Sequence, residues 1–253
     1  KTFVLLNIMI PFKRFLLALP WPAVVALIAL AGFQLGGWRL AVLVTALAGF
    51  IVVTGQWEYA MVTLYLVGVS VAIACAIGFP IGIWAARNLR VDRVVQVVID
   101  TLQTLPSLVY LIPAVMLLSV GEFTATIAVI AYAVAPAIRY TIHGVRQVPA
   151  MLTEAATAQG CTRGQVLRRV QLPLALPEIM LGVNQTIMLA LSMVVITALV
   201  GTRDLGQEVY VALTKADTGR GLVAGVCVAF IAIIADRLLG AASRRMRQRF
   251  NLA

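Results

Sequence analysis

Long apolar stretches alternate with short polar segments along the whole chain. Seven of them approach or exceed the roughly 20 residues that an α-helix needs to cross the hydrocarbon of a bilayer. They are continuously apolar, whereas the strands of a membrane barrel alternate between apolar and polar residues. The pattern therefore predicts an all-α integral membrane protein with about seven transmembrane helices, at about 15–33, 40–54, 59–86, 94–118, 123–140, 179–200 and 222–239.

The same pattern suggests a division of the chain into four parts. Residues 1–14 form an amphipathic segment expected at the membrane interface. Residues 15–56 form two peripheral helices joined by a tight turn at Gly36-Gly37. Residues 57–240 form the core domain, which includes a polar loop at 142–175, and residues 241–253 form a basic tail. Because the chain begins with Lys1, we expect its natural start to lie further upstream.

Composition agrees with a membrane protein and excludes several other classes. The 253 residues are 62% hydrophobic and only 12% charged, with a mean hydropathy of +0.99. A soluble domain is closer to half apolar and a quarter charged. The three cysteines are Cys75 and Cys227 in apolar stretches and Cys161 in the polar loop, so we predict neither a disulfide framework nor a metal site.

The net charge of +10 raises the possibility of a nucleic-acid partner. We reject it because the basic residues flank the apolar stretches, where they act as topology signals and contacts for lipid headgroups. With loop 142–175 in the cytoplasm, most of the 20 Lys and Arg residues also lie inside. This bias predicts an external N-terminus and a cytoplasmic C-terminus. Lys13-Arg14 would lie outside in this orientation, against the rule that basic residues lie in the cytoplasm. An even number of spans would place them in the cytoplasm.

The loop between the fifth and sixth stretches carries the clearest local signals, in EAATAQGCTRGQVLRRVQLP. Pro149 precedes a run of helix formers, Ala150 to Gln159, and Gly160 is placed to stop that helix. Thr162 caps a second short helix, Arg163 to Gln171, which we expect Pro173 to end. The result is a helix–Gly–helix elbow. Its small alanines would let a partner approach closely, although an ordinary amphipathic hairpin would show the same pattern.

Sequence spacing gives the elbow a resemblance to a known family. Its residues resemble the EAA loop of ABC importer permeases, with Val170 where Ile is commoner: Glu154, Ala155, Ala156, Gly160, Val170, Leu172 and Pro173. Leu176-Pro177-Glu178 and Gly182-Val183-Asn184-Gln185-Thr186 extend the likeness to the osmoprotectant branch of type I ABC importers, over about 57–239. The segment Gly201–Gly206 departs from the plainer Gly-rich turn usual there.

The resemblance implies a permease fold of the methionine-importer (MetI-like) type and a place in a larger complex. Two copies of the permease would form a pathway in the bacterial cytoplasmic (inner) membrane. Two cytoplasmic ATPase subunits, which bind ATP and Mg, would dock on the elbows, and a periplasmic or extracellular binding protein would deliver the cargo. The chain itself would bind no cofactor and catalyse no reaction. It also lacks a phosphate-binding P-loop motif and the common hydrolase motifs.

The cargo implied by the resemblance is a small quaternary amine, such as glycine betaine, proline betaine, choline or carnitine. The same importer class could instead carry trimethylamine N-oxide, a sulfonium solute or an amino acid. A more remote alternative is an ATP-independent channel or a membrane scaffold, which predicts no ATPase partner.

Residues inside the fourth stretch are candidates for the pathway. Pro106 and Pro113 interrupt it and free backbone groups that must be satisfied by protein or water. The stretch therefore either lines a pathway or kinks for packing. Tyr110, between the two prolines, faces the pathway or the core.

The sixth stretch holds the other pathway or gate candidates. Asn184, Gln185 and Thr186 lie early in it, where they either bond neighbouring helices, which we favour, or wet the pathway. Met193 is either part of a gate or, as we favour, a core residue.

Charged residues near the ends of the stretches have local explanations. We expect Asp100 to pair with the nearby Arg93 and Asp236 with Arg237, so we do not predict proton-coupled transport. His143, the single histidine, is expected to be solvated or to face headgroups rather than to act in catalysis.

Overall fold

The computed structural model describes residues 5–249, apart from the side chains of Ile8 and residues 247–249, and this part of the chain contains helices and turns but no strand. A π-turn, Leu5–Met9, precedes the first helix. The helices are α1 (Ile10–Ala18), α2 (Trp21–Val53), α3 (Trp57–Arg87), α4 (Leu89–Thr104), α5 (Ser107–Leu118), α6 (Glu122–Arg146), α7 (Ala150–Ala158), α8 (Arg163–Val166), α9 (Leu172–Thr197), α10 (Leu205–Thr214) and α11 (Thr218–Arg249).

Five helical segments within the described residues are long and apolar enough to cross a membrane: α2, α3, α6, the run that contains α9, and α11. The pair α4 and α5, bent by 97° at the break between them, makes a sixth. The predicted all-helical membrane fold is therefore confirmed.

Helix α2 is a hairpin rather than one long span. Gly37 has φ 76° and ψ −170°, a left-handed conformation that glycine adopts at little cost. A Cβ built on Gly32 would lie 3.0 Å from the Cα of Ala41. In a continuous helix these residues would be separated by about 13 Å. The chain therefore turns back at Gly37, where the sequence predicts a tight turn between two helices.

The centre of the fold is built by α3, α6 and α9, which pack through small residues. A Cβ added to Gly78 or Gly82 of α3 would meet side chains of α6 at 2.8 Å and 2.6 Å. On an adjacent face of α6, a Cβ on Gly182 of α9 would lie 2.7 Å from Cβ of Tyr140. Close backbone approach through small residues is the usual way in which membrane helices associate.

The N-terminal segment differs from its prediction. The helix expected from residue 15 begins instead at Trp21, because Leu19 and Pro20 are extended and separate α1 from α2. The segment expected at the interface packs on the core: Met9 is buried, the rings of Phe12 and Tyr65 lie 6.3 Å apart, and Lys13 pairs with Glu122. Residues 1–4 of that predicted segment lie outside the described residues.

One long-range contact lies at each end of the helical bundle. Lys13 pairs with Glu122, the first residue of α6. At the opposite end, Arg245 near the end of α11 donates to the carbonyl of Gln34 beside the hairpin turn, at 2.5 Å. The predicted basic tail, 241–253, begins inside α11, and its last four residues are outside the described part.

Helix α10 closes the end of the fold near Glu122. Its N-cap is Asp204, whose Oδ1 accepts from the amide of Gln207 at 2.9 Å. The neighbouring amide of Leu205 donates to Oγ1 of Thr63 in α3 at 3.1 Å, and Arg220 of α11 binds both oxygens of Glu208 at 2.7 Å and 3.0 Å. These bonds fix α10 to two long helices.

Asp204 is fully buried in this arrangement, and its Oδ2 has no hydrogen-bond partner among the described residues. Burial raises the pKa of this carboxyl from 3.8 to about 6, although the hydrogen bond from the amide of Gln207 acts in the other direction.

Candidate functional site

The elbow predicted between the fifth and sixth stretches is present. Helix α7 begins after Pro149 and ends at Ala158, and Gly160 then takes the left-handed conformation, with φ 84°. Thr162 starts α8 with a capping box: its hydroxyl accepts from the amide of Gln165, and the side chain of Gln165 accepts from the amide of Thr162. The chain therefore reverses within a few residues between two capped helices.

The end of the elbow differs from its prediction. Pro173 does not end the second helix, because a π-turn, Leu167–Gln171, joins α8 to α9. The helical run is continuous from Arg163 to Val200. A proline has no N–H, but it is tolerated in the first turn of a helix, and Pro173 lies in the first turn of α9. The elbow is thus a direct extension of a membrane-spanning helix.

One face of α7 presents apolar surface that no element among residues 5–249 covers. Met151 is 73% exposed, and Ala155 and Ala158, on the same helical face, are also exposed. Glu154 is exposed beside them. The later residues of the predicted docking set, Val170, Leu172 and Pro173, are half-buried at the base of the elbow. An exposed apolar helix face of this kind is typical of a protein-binding surface.

Arg146 attaches the base of the elbow to the rest of the fold. Its guanidinium donates to the carbonyls of Ala85 and Ala86 at the end of α3, at 3.1 Å and 3.3 Å. It also donates to Oδ2 of Asp92 in the first turn of α4, at 2.8 Å. A cation favours the carbonyl end of a helix dipole. One side chain therefore connects three helices directly before α7.

A cavity of about 470 Å³ lies between α4, α6 and α9, on the elbow side of the fold. Arg139 of α6 lines it and donates through Nη2 to Oδ1 of Asp100 in α4, at 2.6 Å. Its position in the sequence suggested that Asp100 pairs with Arg93. In the structure it pairs with Arg139 instead. The other lining residues are Gln103, Pro136, Tyr140, His143, Gln185 and Leu189. His143 therefore faces a cavity rather than only the surface.

The candidates in the fourth stretch lie at the break between α4 and α5. Pro106 is the N-cap residue of α5, where the chain bends, whereas Pro113 lies within α5. The hydroxyl of Tyr110 donates to the carbonyl of Leu102 across the break, and its ring meets that of Tyr132 edge-on at 5.7 Å. Tyr110 therefore satisfies one of the backbone groups that the break leaves free.

The candidates in α9 separate into different environments. Gln185 is exposed and lines the cavity. Asn184 is buried and donates to Asp236 of α11 at 2.7 Å, an interhelical bond. This bond also replaces the expected pairing of Asp236 with Arg237. Thr186 is buried and donates to the carbonyl of Gly182 in its own helix, and Met193 is fully buried in the core.

Sequence reasoning missed Arg139, Tyr140, Gln103 and Arg146 as site residues. Arg139 was counted only as a topology signal, because it lies near the end of an apolar stretch. The available signal was its spacing: Arg139, His143 and Arg146 recur at helical intervals and so share one face of α6.

Comparison with known families gives a match over most of the chain. Residues 78–248 match the family described as the binding-protein-dependent transport system inner membrane component. The trimethylamine N-oxide transport system permease protein TmoV of Ruegeria pomeroyi is 43% identical over 229 residues, which cover 90% of this chain and 35% of TmoV. The chain therefore spans about a third of the length of that relative.

Two further relatives are closer in length to this chain. The glycine betaine/proline betaine transport system permease protein ProW of Escherichia coli is 43% identical over 242 residues, covering 95% of this chain and 68% of ProW. The glycine betaine transport system permease protein OpuAB of Bacillus subtilis is 46% identical over 194 residues, covering 76% and 69%.

Among solved structures, a chain of the MetNI methionine ABC transporter in an inward-facing conformation superimposes with a TM-score of 0.67. It is 21% identical, with 73% of this chain and 93% of that chain covered. This likeness establishes the fold.

Proposed function

The chain belongs to the family of binding-protein-dependent transport system inner membrane components, and from this premise we propose that it forms the transmembrane pathway of an ATP-driven importer for a small quaternary amine. Glycine betaine, proline betaine, choline and carnitine are the expected cargoes. Relatives named for glycine betaine, proline betaine and carnitine support this class. A relative of equal identity is named for trimethylamine N-oxide, which is the main alternative cargo.

The observation that carries the proposal is the elbow. Its apolar face on α7 is exposed, and its second helix continues into the span α9. A partner that binds α7 can therefore move a membrane helix directly. We propose that two cytoplasmic ATPase subunits, carrying ATP and Mg, dock on the elbows of two permease copies. An external binding protein would deliver the cargo at the opposite end, where α10 lies.

A second permease copy is supported by the exposed surfaces of α4 and α5. Several large apolar side chains there are left exposed by the described part of the chain: Val94, Val97, Val98, Leu108, Ile112 and Met116. In a single span facing only lipid, the break at Pro106 would leave backbone groups unsatisfied. A homodimer that buries this bent pair around a common pathway would place those backbone groups against protein or pathway water.

The proposed orientation places the elbow and the end of α11 in the cytoplasm and the N-terminus outside. The two basic residues that opposed this orientation in the sequence are Lys13 and Arg14. Lys13 is paired with Glu122 in the folded structure, and the larger number of basic residues on the elbow side outweighs these two. The remaining basic clusters, among them Arg146, Arg244 and Arg245, then face the cytoplasm and anionic lipid.

Reconstitution tests the proposal. The permease is co-purified with its ATPase and placed in proteoliposomes, and uptake of labelled glycine betaine is measured with the binding protein outside and ATP inside. We expect uptake that requires both. Ala155→Trp, on the exposed face of α7, should abolish co-purification of the ATPase and ATP-driven uptake.

The matched control is Ala76→Trp, which adds the same bulk at an exposed alanine of α3 away from the elbow. It should leave both measurements unchanged. Flux that ignores ATP would instead identify a channel, and normal coupling in Ala155→Trp would refute the docking role of α7. Competition by trimethylamine N-oxide, choline and carnitine then identifies the cargo.

A further inference from the structure

Arg139 is a charged residue within the membrane-spanning part of the fold. It lies about two helical turns before Arg146, the last residue of α6, and so about 10 Å into the helix. Charged side chains at such a depth are expensive and are generally found facing a cavity, a partner or a functional site. Arg139 faces the cavity between α4, α6 and α9.

The guanidinium has unused binding capacity. Its described hydrogen bond is the one from Nη2 to Asp100, which uses one of five N–H donors. The pair is also accessible: the side chain of Arg139 is 42% exposed and that of Asp100 63%. An exposed ion pair of this kind contributes little net stability. A second anionic oxygen can therefore join or replace Asp100 at small cost.

The other residues that line the cavity suit the cationic, methylated part of a small zwitterion. Tyr140 offers an aromatic ring, which attracts a quaternary ammonium group through its negative face. Leu189 supplies apolar surface for methyl groups, and Gln103 and Gln185 supply neutral hydrogen-bonding groups. The volume of about 470 Å³ lies within the range of small-molecule sites.

We propose that this cavity is a transient cargo site within the permease, at which Arg139 binds the anionic oxygen of a zwitterionic amine and the ring of Tyr140 contacts its cationic group. This inference rests on the proposed function. It goes beyond that function because it assigns selectivity to the permease as well as to the binding protein: among the expected cargoes, choline, which has no anionic oxygen, would bind this site most weakly.

Thiol labelling tests the site directly. In a Cys161→Ser background, which retains only the buried Cys75 and Cys227, His143→Cys places a reactive thiol on the cavity wall. The permease–ATPase complex, without the binding protein, is labelled in the presence of glycine betaine, trimethylamine N-oxide or choline. The first two carry an anionic oxygen and choline does not. Gln147→Cys, an exposed position one turn beyond the cavity, is the matched control.

We expect glycine betaine and trimethylamine N-oxide to slow labelling of His143→Cys several-fold, choline to have little effect, and Gln147→Cys to be unaffected. Arg139→Gln should raise the half-protecting concentration by about tenfold or more, as expected for the loss of a charge-assisted contact. Asp100→Asn should preserve or strengthen protection, because it removes the competing carboxylate. If the ion pair were only structural, both substitutions would have the same effect.

Equal protection by choline, or protection that survives Arg139→Gln, would overturn the inference. The same complexes are assayed for ATP-driven uptake with the binding protein added. Uptake without protection refutes the cavity site alone. Absence of ATP-driven uptake of every amine tested refutes the proposed function, whatever the labelling shows.

Discussion

The buried carboxyl of Asp204 makes stability depend on pH in a direction opposite to that of most acidic residues. Asp204 is fully buried, one of its oxygens has no partner among the described residues, and its pKa is raised to about 6. The folded protein therefore holds this proton more tightly than the unfolded chain does. The stabilising effect of protonation is complete below about pH 4 and is lost as the pH rises through 6.

The size of the effect follows from the two pKa values. The difference between 3.8 and about 6 corresponds to about 3 kcal/mol, at 1.36 kcal/mol for each pH unit. Ionised Asp204 thus lowers the free energy of unfolding by about 3 kcal/mol at neutral pH, relative to an Asp with an ordinary pKa. Asn caps a helix as well as Asp does and carries no charge. Asp204→Asn should therefore keep α10 in place and remove the penalty.

Thermal unfolding of the detergent-solubilised protein between about pH 4 and pH 7.5 measures the prediction. The variant should melt at a higher temperature than the wild type at neutral pH, and the difference should shrink as the pH falls through 6 and vanish as it approaches about 4. Asp217→Asn, which removes an exposed carboxylate that also accepts a backbone amide, controls for the change in charge. A melting difference that is independent of pH, or a variant less stable at neutral pH, would refute the reasoning.

Three further predictions concern packing and coupling. Gly82→Ala should destabilise the fold by about 1–3 kcal/mol, because its Cβ would lie 2.6 Å from Cβ of Thr141. Gly225→Ala should not lower the melting temperature, because among the described residues no neighbouring helix comes within 4 Å of the added Cβ. Gly160→Ala should strain the elbow by about 1–2 kcal/mol, because Gly160 has a positive φ of 84°. It should also lower the amount of cargo taken up per ATP hydrolysed, and Gly160→Asn should lower it less. Equal uptake per ATP in the wild type and both variants would contradict this. Arg146→Gln should also lower uptake per ATP hydrolysed, because it frees α3 from the base of the elbow. Unchanged uptake per ATP would show that the contact of Arg146 with α3 and α4 is not needed for coupling.

The sequence predicted much of this architecture because its strongest signals are local. Apolar length located the membrane helices, and the Gly36-Gly37 pair located the hairpin turn. Gly160 and Thr162 located the elbow, since left-handed glycines and capping boxes need only neighbouring residues. The roles assigned to the elbow residues, among them Glu154 and Gly160, are still predictions.

Long-range partners and the consequences of proline were harder to predict. Pro173 was expected to end a helix, and it lies instead in the first turn of α9, where a proline is tolerated. Pro20 was expected to lie inside a helix and instead separates two. Asp100 and Asp236 were assigned partners nearby in sequence, whereas their partners, Arg139 and Asn184, lie on other helices. Charge alone cannot identify a partner when helix packing determines which faces meet.

The uninterrupted helical run from Arg163 to Val200 gives the protein a mechanical property. Its 38 residues extend for about 57 Å, so that the elbow and the end near α10 are two ends of one rod. A displacement applied at the start of this run is therefore carried to the far surface by one helical segment, without an intervening loop. The π-helical segment, Leu167–Gln171, determines how α8 is rotated about the helix axis relative to α9. One residue more or fewer between Leu167 and Gln171 would turn the docking face by about 100° relative to the helices in the membrane, which makes the length of this short segment as consequential as its composition.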